Sequence, residues 1–233
     1  MRRLVVGDIH GAYKALKQVL KRSLFDYEND QLIIIGDVVD GWPETKRCVS
    51  ELLKIKNRIL VIGNHDLWCL QWMRTGEMKN IWISQGGKET VRSYQMPLEG
   101  SSDKPNVPKE HVEFFESGVG YYKTEDEKIF VHGGFSLDVP IEYQSTNDLA
   151  WDRSLYETAQ RKQFSSKEAH PRLSTYSEIF VGHTTTESFS LEPVHYCELW
   201  NVDQGAGWGG KLTLMDVDNK EFWQSDIVRE LYQ

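Results

Sequence analysis

Three short apolar runs near the start of the chain constrain its fold more than any other feature. They read Leu4-Val5-Val6-Gly7, Leu32-Ile33-Ile34-Ile35-Gly36 and Ile59-Leu60-Val61-Ile62-Gly63, and each ends in glycine. Short runs rich in β-branched residues are typical of buried strands. Between them, apolar residues at helical spacing predict helices over residues 13–21 and 45–55. The start of the chain therefore predicts a β-α-β-α-β unit.

The second half of the sequence is richer in strands. Further apolar runs predict strands over residues 128–131, 178–181, 198–202 and 211–217. Residues 76–126 are polar and aromatic, with three prolines and a Glu-Gly-Ser-Ser-Asp-Lys stretch, which favours an inserted cap. We predict an α/β fold in which two mixed sheets are flanked by helices, a four-layer α/β/β/α sandwich. Ligands are expected at the carboxyl ends of the strands.

Composition limits the class of protein. A chain of 233 residues with 39% hydrophobic content can form one large core, so we expect a single domain over residues 1–233. The net charge of −8 argues against a broad surface for polyanions, although a local metal cluster could still hold a phosphate. No apolar run is long enough to cross a bilayer, and three widely spaced cysteines favour reduced thiols. We therefore expect a soluble, cytoplasmic protein with no membrane partner.

Side chains that can bind metals follow the strand-ending glycines in separate segments. They are Asp8, His10, Asp37, Asp40, Asn64, His65, His132 and His183. A glycine at a strand end lets the chain turn sharply and lets another group approach the backbone, so the following side chains project over one sheet edge. Carboxylates, imidazoles and a carboxamide without thiolates suit manganese, iron or zinc. The pattern predicts a shared site for two divalent ions, bridged by at least one aspartate.

Each of these residues alone also has an ordinary structural explanation. Asp8, Asp37 and Asp40 could cap helices, and His132, beside two glycines, could be a turn histidine. The conjunction favours a functional site, because every segment pairs a strand and a glycine with a residue that can bind metal.

The motifs resemble a known family. They are Gly7-Asp8-Ile9-His10-Gly11, Gly36-Asp37-Val38-Val39-Asp40, Gly63-Asn64-His65-Asp66, His132-Gly133-Gly134 and Gly182-His183-Thr184. Their order is similar to that of the calcineurin-like metallophosphoesterases, specifically the protein serine/threonine phosphatase branch with its bacterial and phage members. A late glycine-rich segment, residues 203–212, resembles the one with which bacterial members return to the sheet.

The resemblance implies a role for each metal ligand. Asp8 and His10 would bind the first ion, and Asp37 would bridge both. The second ion would be completed by Asn64, His132 and His183. Two divalent ions are implied, manganese first, with iron or zinc as alternatives.

The resemblance also implies the chemistry. A hydroxide bridging the two ions would attack phosphorus in line. His65 resembles the family's general acid, which protonates the leaving oxygen, and Asp40 would orient its imidazole. Arg153 resembles an arginine that contacts the phosphate, although it could equally be a surface helix residue.

The sequence departs from the protein phosphatases at Gly41. Those enzymes carry an arginine after the second aspartate of this motif, and here Asp40 is followed by glycine. A bidentate phosphate donor is therefore missing. We expect Gly41→Arg to tighten phosphomonoester binding unless Gly41 has a positive φ, in which case arginine would strain the loop. Asp66 likewise replaces the glutamate that is usual in that branch.

Several tryptophans lie near the predicted site in the sequence. Trp68 and Trp72 are four apart on a predicted helix, and Trp42 and Trp82 flank that region. Packing is the ordinary role of such residues. The alternative is that Trp42 or Trp82 stacks on a base or an aromatic leaving group.

Three functions remain open. The first is hydrolysis of phosphomonoesters, either a phosphorylated protein or a small phosphoester, by an enzyme like the serine/threonine protein phosphatases. The second is a diadenosine tetraphosphate hydrolase or a phosphodiesterase on nucleotides or RNA ends. The third is a non-catalytic binding scaffold, which the intact set of ligands and the candidate acid disfavour.

Overall fold

Two mixed β-sheets form the centre of the molecule. The structure is a computed structural model, and it describes residues 1–95, 105–164 and 173–233. In the first sheet the strands lie in the order β11 (Phe222–Gln224), β10 (Lys211–Asp216), β1 (Arg3–Val6), β2 (Gln31–Ile34) and β3 (Asn57–Leu60), and β9 (Asp203–Gln204) pairs with β10. In the second the order is β4 (Tyr121–Lys123), β5 (Lys128–Val131), β6 (Glu178–Val181), β8 (Leu199–Asn201) and β7 (Val194–Tyr196).

The central strands of each sheet run parallel. In the first sheet Val5 lies opposite Ile33, which lies opposite Ile59. In the second sheet β5, β6 and β8 are parallel, while β4 and β7 join them in the antiparallel direction. The carboxyl ends of the parallel strands in a sheet therefore meet at one edge.

Helices cover the outer face of each sheet. The first sheet carries α1 (Tyr13–Arg22), α2 (Thr45–Leu52), α3 (Asn64–Thr75), α4 (Asn80–Trp82), α5 (Lys88–Ser93), α6 (Lys109–Glu116) and α9 (Val228–Leu231). The second sheet carries α7 (Thr146–Trp151) and α8 (Ser154–Gln163). A π-helical turn, Ile83–Gly87, joins α4 to α5, and 3₁₀ turns occupy Ile141–Tyr143, Leu173–Thr175 and Ala206–Trp208.

Alternation along the strands divides the core into layers. Val5 points into the space between the sheets, where it meets side chains such as Phe130 and Phe180. Its neighbours Leu4 and Val6 point to the helices of the first sheet. Successive strand residues face opposite sides, so one buried strand supplies two apolar layers. The predicted four-layer sandwich is confirmed.

The segment predicted as a cap, residues 76–126, is described except for residues 96–104, where its Glu-Gly-Ser-Ser-Asp-Lys stretch lies. Its helix α5 packs on α2, and α6 packs on α2 and α3. Strand β4 pairs with β5 at the edge of the second sheet. The division into one domain with a cap stays a prediction. Among the described residues, no helix has the length and apolar character that crossing a membrane requires.

Candidate active site

The predicted ligands lie where strands end. Asp8 and His10 follow β1, Asp37 follows β2, His132 follows β5 and His183 follows β6. Asn64 and His65 open α3, just after β3. Most of this set lines one cavity of about 310 Å³, and His132 is fully buried among the same side chains. This placement at the carboxyl ends of parallel strands is where open α/β sheets bind ligands.

The strand-end glycines make room for the carboxylates. A Cβ added to Gly182 would lie 2.1 Å from the Asp8 Oδ1 atom, and one added to Gly63 would lie 2.2 Å from Asp37 Oδ1. The His183 backbone N–H also donates to Asp8 Oδ2 at 3.1 Å. Any larger residue at either glycine would displace a candidate ligand, because contacts that short do not occur between unbonded atoms.

Two candidate metal groups share Asp37. One comprises Asp8, His10 and Asp37, the other Asp37, His132 and His183, and the ligand atoms within each group lie within 4.8 Å of one another. The Asp37 Oδ2 atom is 3.7 Å from His10 Nε2 and 3.3 Å from His132 Nε2. A carboxylate between two imidazoles in this way is placed to bridge two divalent ions.

Hydrogen bonds fix the imidazoles of the two groups. The Nδ1 atom of His10 lies 3.1 Å from the Val39 carbonyl oxygen, and Nδ1 of His132 lies 2.6 Å from that of Ile35. A carbonyl can only accept a hydrogen bond, so each Nδ1 carries the proton and each Nε2 points to the cluster. Asn64 Oδ1 lies 3.1 Å from His132 Nε2, which brings a carboxamide oxygen to the second group.

His183 supplies the clearest sign that a cation belongs here. Its Nε2 atom is buried and has no hydrogen-bond partner in the part of the chain that the structure describes. Burial lowers the pKa of His183 to about 3, so the ring is neutral and Nε2 can offer a lone pair. A buried polar atom without a partner is costly, and coordination of a metal ion would satisfy it. The residues present therefore fit a divalent ion.

The protonation of the histidines beside the buried carboxylates also favours the binding of cations. Burial lowers the pKa of His10 to about 4, which leaves that ring neutral. Burial would lower the pKa of His132 as well, but the charges of Asp37 and Asp8 outweigh it and raise that pKa to about 10. The proton on His132 balances buried carboxylate charge, and a divalent ion beside Asp37 would replace it in that role.

His65 and Asp40 form a dyad beside the metal groups. His65 Nδ1 lies 2.6 Å from Asp40 Oδ2, and its ring lines the cavity. Burial alone would lower the pKa of His65, but the charges of Asp37 and Asp40 outweigh it and raise that pKa. These charges favour the protonated imidazole, which is the form that a proton donor requires.

Two residues from the middle segment, Trp82 and Thr90, hold Asp40 in place, and the sequence predicted this role for neither. Trp82 Nε1 donates to Asp40 Oδ2 at 2.7 Å, and Thr90 Oγ1 donates to Asp40 Oδ1 at 2.7 Å. The Asp40 backbone N–H in turn donates to Thr90 Oγ1 at 2.9 Å. All three residues are fully or almost fully buried. No spacing pattern could have found these contacts, because they join residues more than 40 positions apart in the sequence.

We expect Thr90→Val to lower kcat roughly tenfold with little change in metal content. Valine keeps the shape but leaves an Asp40 oxygen without its donor, and such a loss costs about 1–3 kcal/mol. Thr90→Ser keeps the hydroxyl and is the matched control. Steady-state kinetics with metal analysis checks this, and an unchanged kcat for Thr90→Val would show that the contact does not position Asp40.

Two further aspartates also belong to the site. Asp66 is fully buried, and its carboxylate accepts the N–H groups of Val38 at 2.9 Å and Gly63 at 3.1 Å, which ties together the turns after β2 and β3. Asp203 lines the cavity, and burial raises its pKa to about 6. Asp203 is the first residue of the glycine-rich segment 203–212, and that position was the signal in the sequence for its place at the site.

Arg153 lies at the cavity on the side of the second metal group. Its Nη1 atom donates to the His183 carbonyl oxygen at 3.0 Å and to Thr184 Oγ1 at 3.3 Å. The side chain is exposed and lines the cavity. The Arg153 guanidinium is therefore close enough to His183 to contact a phosphate that binds there.

Gly41 has a φ of 75°. The expected gain from Gly41→Arg therefore does not follow, because a side chain here is strained whatever its charge. We expect Gly41→Ala and Gly41→Arg both to lower kcat, as the neighbouring Asp40 shifts. Both variants add a side chain at position 41, but only arginine adds a charge. A difference in KM for a phosphomonoester between the two variants therefore measures the effect of the charge. Full kcat in Gly41→Ala would contradict this account.

Trp42 and Trp82 pack within the protein, which is the ordinary role given above, and neither offers the alternative stacking surface. Trp42 stacks on Tyr232 with ring centroids 4.8 Å apart, and its Nε1 donates to the Ala206 carbonyl oxygen at 2.8 Å. Trp82 is buried and bonded to Asp40. The tryptophans that line the cavity are Trp151 and Trp208.

Comparison with known proteins agrees with this geometry. The family model for the calcineurin-like phosphoesterases matches residues 1–207. A symmetrical bis(5'-nucleosyl)-tetraphosphatase of Buchnera aphidicola is 24% identical, covering 94% of this chain and 96% of its own. Serine/threonine-protein phosphatase 1 of Salmonella typhimurium is 35% identical, but the match covers 36% of this chain and 38% of that protein.

The fold also matches solved structures. The crystal structure of a metallophosphoesterase from Sphaerobacter thermophilus superposes with a TM-score of 0.56 at 19% identity, covering 97% of this chain and 89% of that one. The chain therefore belongs to the calcineurin-like phosphoesterase family and is a metal-dependent phosphoric ester hydrolase.

Proposed function

We propose that this enzyme hydrolyses phosphoanhydrides of nucleotides, with dinucleoside tetraphosphates as its substrate class. The observation that carries the proposal is the similarity to the Buchnera tetraphosphatase over nearly the full length of both chains. An asymmetrical tetraphosphatase of Halalkalibacterium halodurans is also similar over 94% of this chain, at 25% identity. Of the three functions left open by the sequence, these similarities favour the second over the first.

The cavity has the surfaces that such a substrate needs. Its lining includes two tryptophans, Trp151 and Trp208, and two basic residues, Lys88 and Arg153. A dinucleoside polyphosphate presents a chain of phosphates with a base at each end. Cations suit the phosphates and aromatic faces suit the bases.

The metal ligands would act as two sets around Asp37. Asp8 and His10 would hold one divalent ion with Asp37, and Asn64, His132 and His183 would hold the other. Manganese is the proposed metal, with iron or zinc as alternatives. When bound, the ions supply positive charge to the phosphate oxygens and lower the pKa of water.

The remaining site residues would bind the phosphate and move a proton. Arg153 would bind a phosphate oxygen beside His183, at the place its guanidinium already occupies. His65 Nε2 would donate a proton to the departing oxygen, while Asp40 keeps the imidazole charged and oriented. The position of both side chains in the cavity lining supports these roles.

A direct comparison of substrates tests the proposal. We expect the manganese-loaded enzyme to show a higher kcat/KM for diadenosine tetraphosphate than for a phosphoserine peptide or an aryl phosphodiester. Chromatography of the products identifies the bond that is cleaved. A higher kcat/KM for the phosphopeptide would overturn the proposal.

That outcome would support the second candidate, a serine/threonine phosphatase. The observation in its favour is the 35% identity to the Salmonella phosphatase over 83 residues. The third candidate, a binding scaffold, predicts no turnover of any of these substrates with manganese present.

A further inference from the structure

Two loops pack beside Gly41 and His10, which both line the cavity. A Cβ added to Gly86 would lie 2.6 Å from the Gly41 nitrogen, so the turn Ile83–Gly87 packs directly on the dyad loop. A Cβ added to Gly207 would lie 2.4 Å from the His10 ring, so the turn Ala206–Trp208 packs on a candidate metal ligand. These approaches require glycine. Lys88, two residues after Gly86, and Trp208, directly after Gly207, both line the cavity.

Trp208 follows Gly207, and its backbone is held firmly. Its 3₁₀ turn lies between Gly205 at φ 78° and Gly209 at φ 101°, and its carbonyl oxygen accepts a hydrogen bond from Arg229 Nη2 at 3.0 Å. The residue is nevertheless 71% exposed, and its ring pairs with no other aromatic ring in the described ranges. A tryptophan on a fixed backbone, exposed at the rim of a catalytic cavity, offers a ligand a large flat surface at little entropic cost.

Lys88 comes from the other loop. Lys88 is the first residue of α5. Thr90, in the same helical turn, is hydrogen-bonded to Asp40, so the position of the Lys88 backbone is fixed relative to the dyad. Its side chain is exposed, lines the cavity and makes no ion pair with any residue that the structure describes. An unpaired ammonium at this position is available to an anionic ligand.

We infer that Lys88 and Trp208 form a nucleotide subsite beside Gly41 in the cavity. Lys88 binds a phosphate next to the one at the metal ligands, and Trp208 stacks on the base of the same nucleotide. The inference rests on the proposed function and extends it, because it assigns one half of a dinucleoside polyphosphate to one side of the site. Arg153 lies on the His183 side and serves the phosphate there.

Binding measurements test the subsite without relying on turnover. Isothermal titration calorimetry of the manganese-loaded protein would compare an ATP analogue, in which methylene groups replace both oxygens that bridge phosphorus atoms, with the inorganic triphosphate analogue that carries the same two replacements. We expect the nucleotide to bind about tenfold more tightly, which is the usual effect of stacking a base on an aromatic ring. Trp208→Ala should remove that preference, and Trp208→Phe should keep most of it. Lys88→Met should lower the affinity for both ligands by the same factor.

Matched controls lie elsewhere on the surface. Phe189 is 57% exposed and Lys21 is an exposed residue of α1, and neither lines the cavity. Phe189→Ala and Lys21→Met should leave both affinities unchanged. Equal binding of the two ligands by the native protein would overturn the inference, and so would a nucleotide preference that survives Trp208→Ala.

The two proposals fail separately. If the native protein prefers the nucleotide analogue but does not cleave diadenosine tetraphosphate, the subsite stands and the proposed function is wrong. If it cleaves diadenosine tetraphosphate but Trp208→Ala changes no affinity, the function stands and the subsite is wrong.

Discussion

Asp37→Asn is expected to remove more bound metal than any other single substitution in the site and to lower turnover on the order of 10³-fold. Asp37 is the residue common to both candidate metal groups, and its carboxylate lies between His10 and His132. Asparagine keeps the shape and loses the charge that two cations would share. Metal content by mass spectrometry, together with turnover of an aryl phosphate in added manganese, measures both effects.

Asp203→Asn is the matched control for Asp37→Asn. It removes a second buried carboxylate from the same cavity, but from a residue outside both metal groups. Circular dichroism of both variants checks that the fold is kept. Full metal content in a folded Asp37→Asn protein would contradict the proposed bridging role.

His65→Asn is expected to lower kcat by roughly 10²–10⁴ while leaving the metal content nearly unchanged. His65 lines the cavity and is bonded to Asp40, but it belongs to neither metal group. The substitution therefore removes the candidate acid and spares the ligands. Steady-state kinetics and metal analysis on the same preparation measure the two properties.

The size of the loss should depend on the leaving group. An acidic phenol or a phosphate departs without much help from an acid, whereas a serine alkoxide needs a proton. His65→Asn should therefore lower kcat more for a phosphoserine peptide than for an aryl phosphate or diadenosine tetraphosphate. Equal losses for all three would show that His65 is not the proton donor.

The sequence predicted the buried strands well, because each is a short run of apolar residues. Strands β1, β2, β5 and β6 are buried runs of β-branched and apolar residues, and their predicted positions agree with the structure to within a few residues. The ligands that follow them could be predicted to converge because parallel strands bring their carboxyl ends to one edge. A local sequence pattern was enough for this prediction, because each ligand lies within a few residues of the strand that it follows.

Other parts of the fold have no such local pattern. Strands β4, β7 and β11 are three residues long and partly exposed, so they lack both length and alternation. The contacts of Trp82 and Thr90 with Asp40 depend on how the middle segment packs, which no spacing reveals. The stacking alternative for Trp42 failed for a related reason. It is near the dyad in sequence, but the left-handed turn at Gly41 precedes it and its ring packs on Tyr232.

The central claim is that two divalent ions share Asp37, and electron paramagnetic resonance during a manganese titration tests it most directly. Two manganese ions that share a carboxylate are magnetically coupled. We expect the spectrum of a coupled pair to develop as the second equivalent binds, and to be absent from Asp37→Asn. Saturation at one equivalent, or a spectrum of isolated ions at two equivalents, would contradict the account.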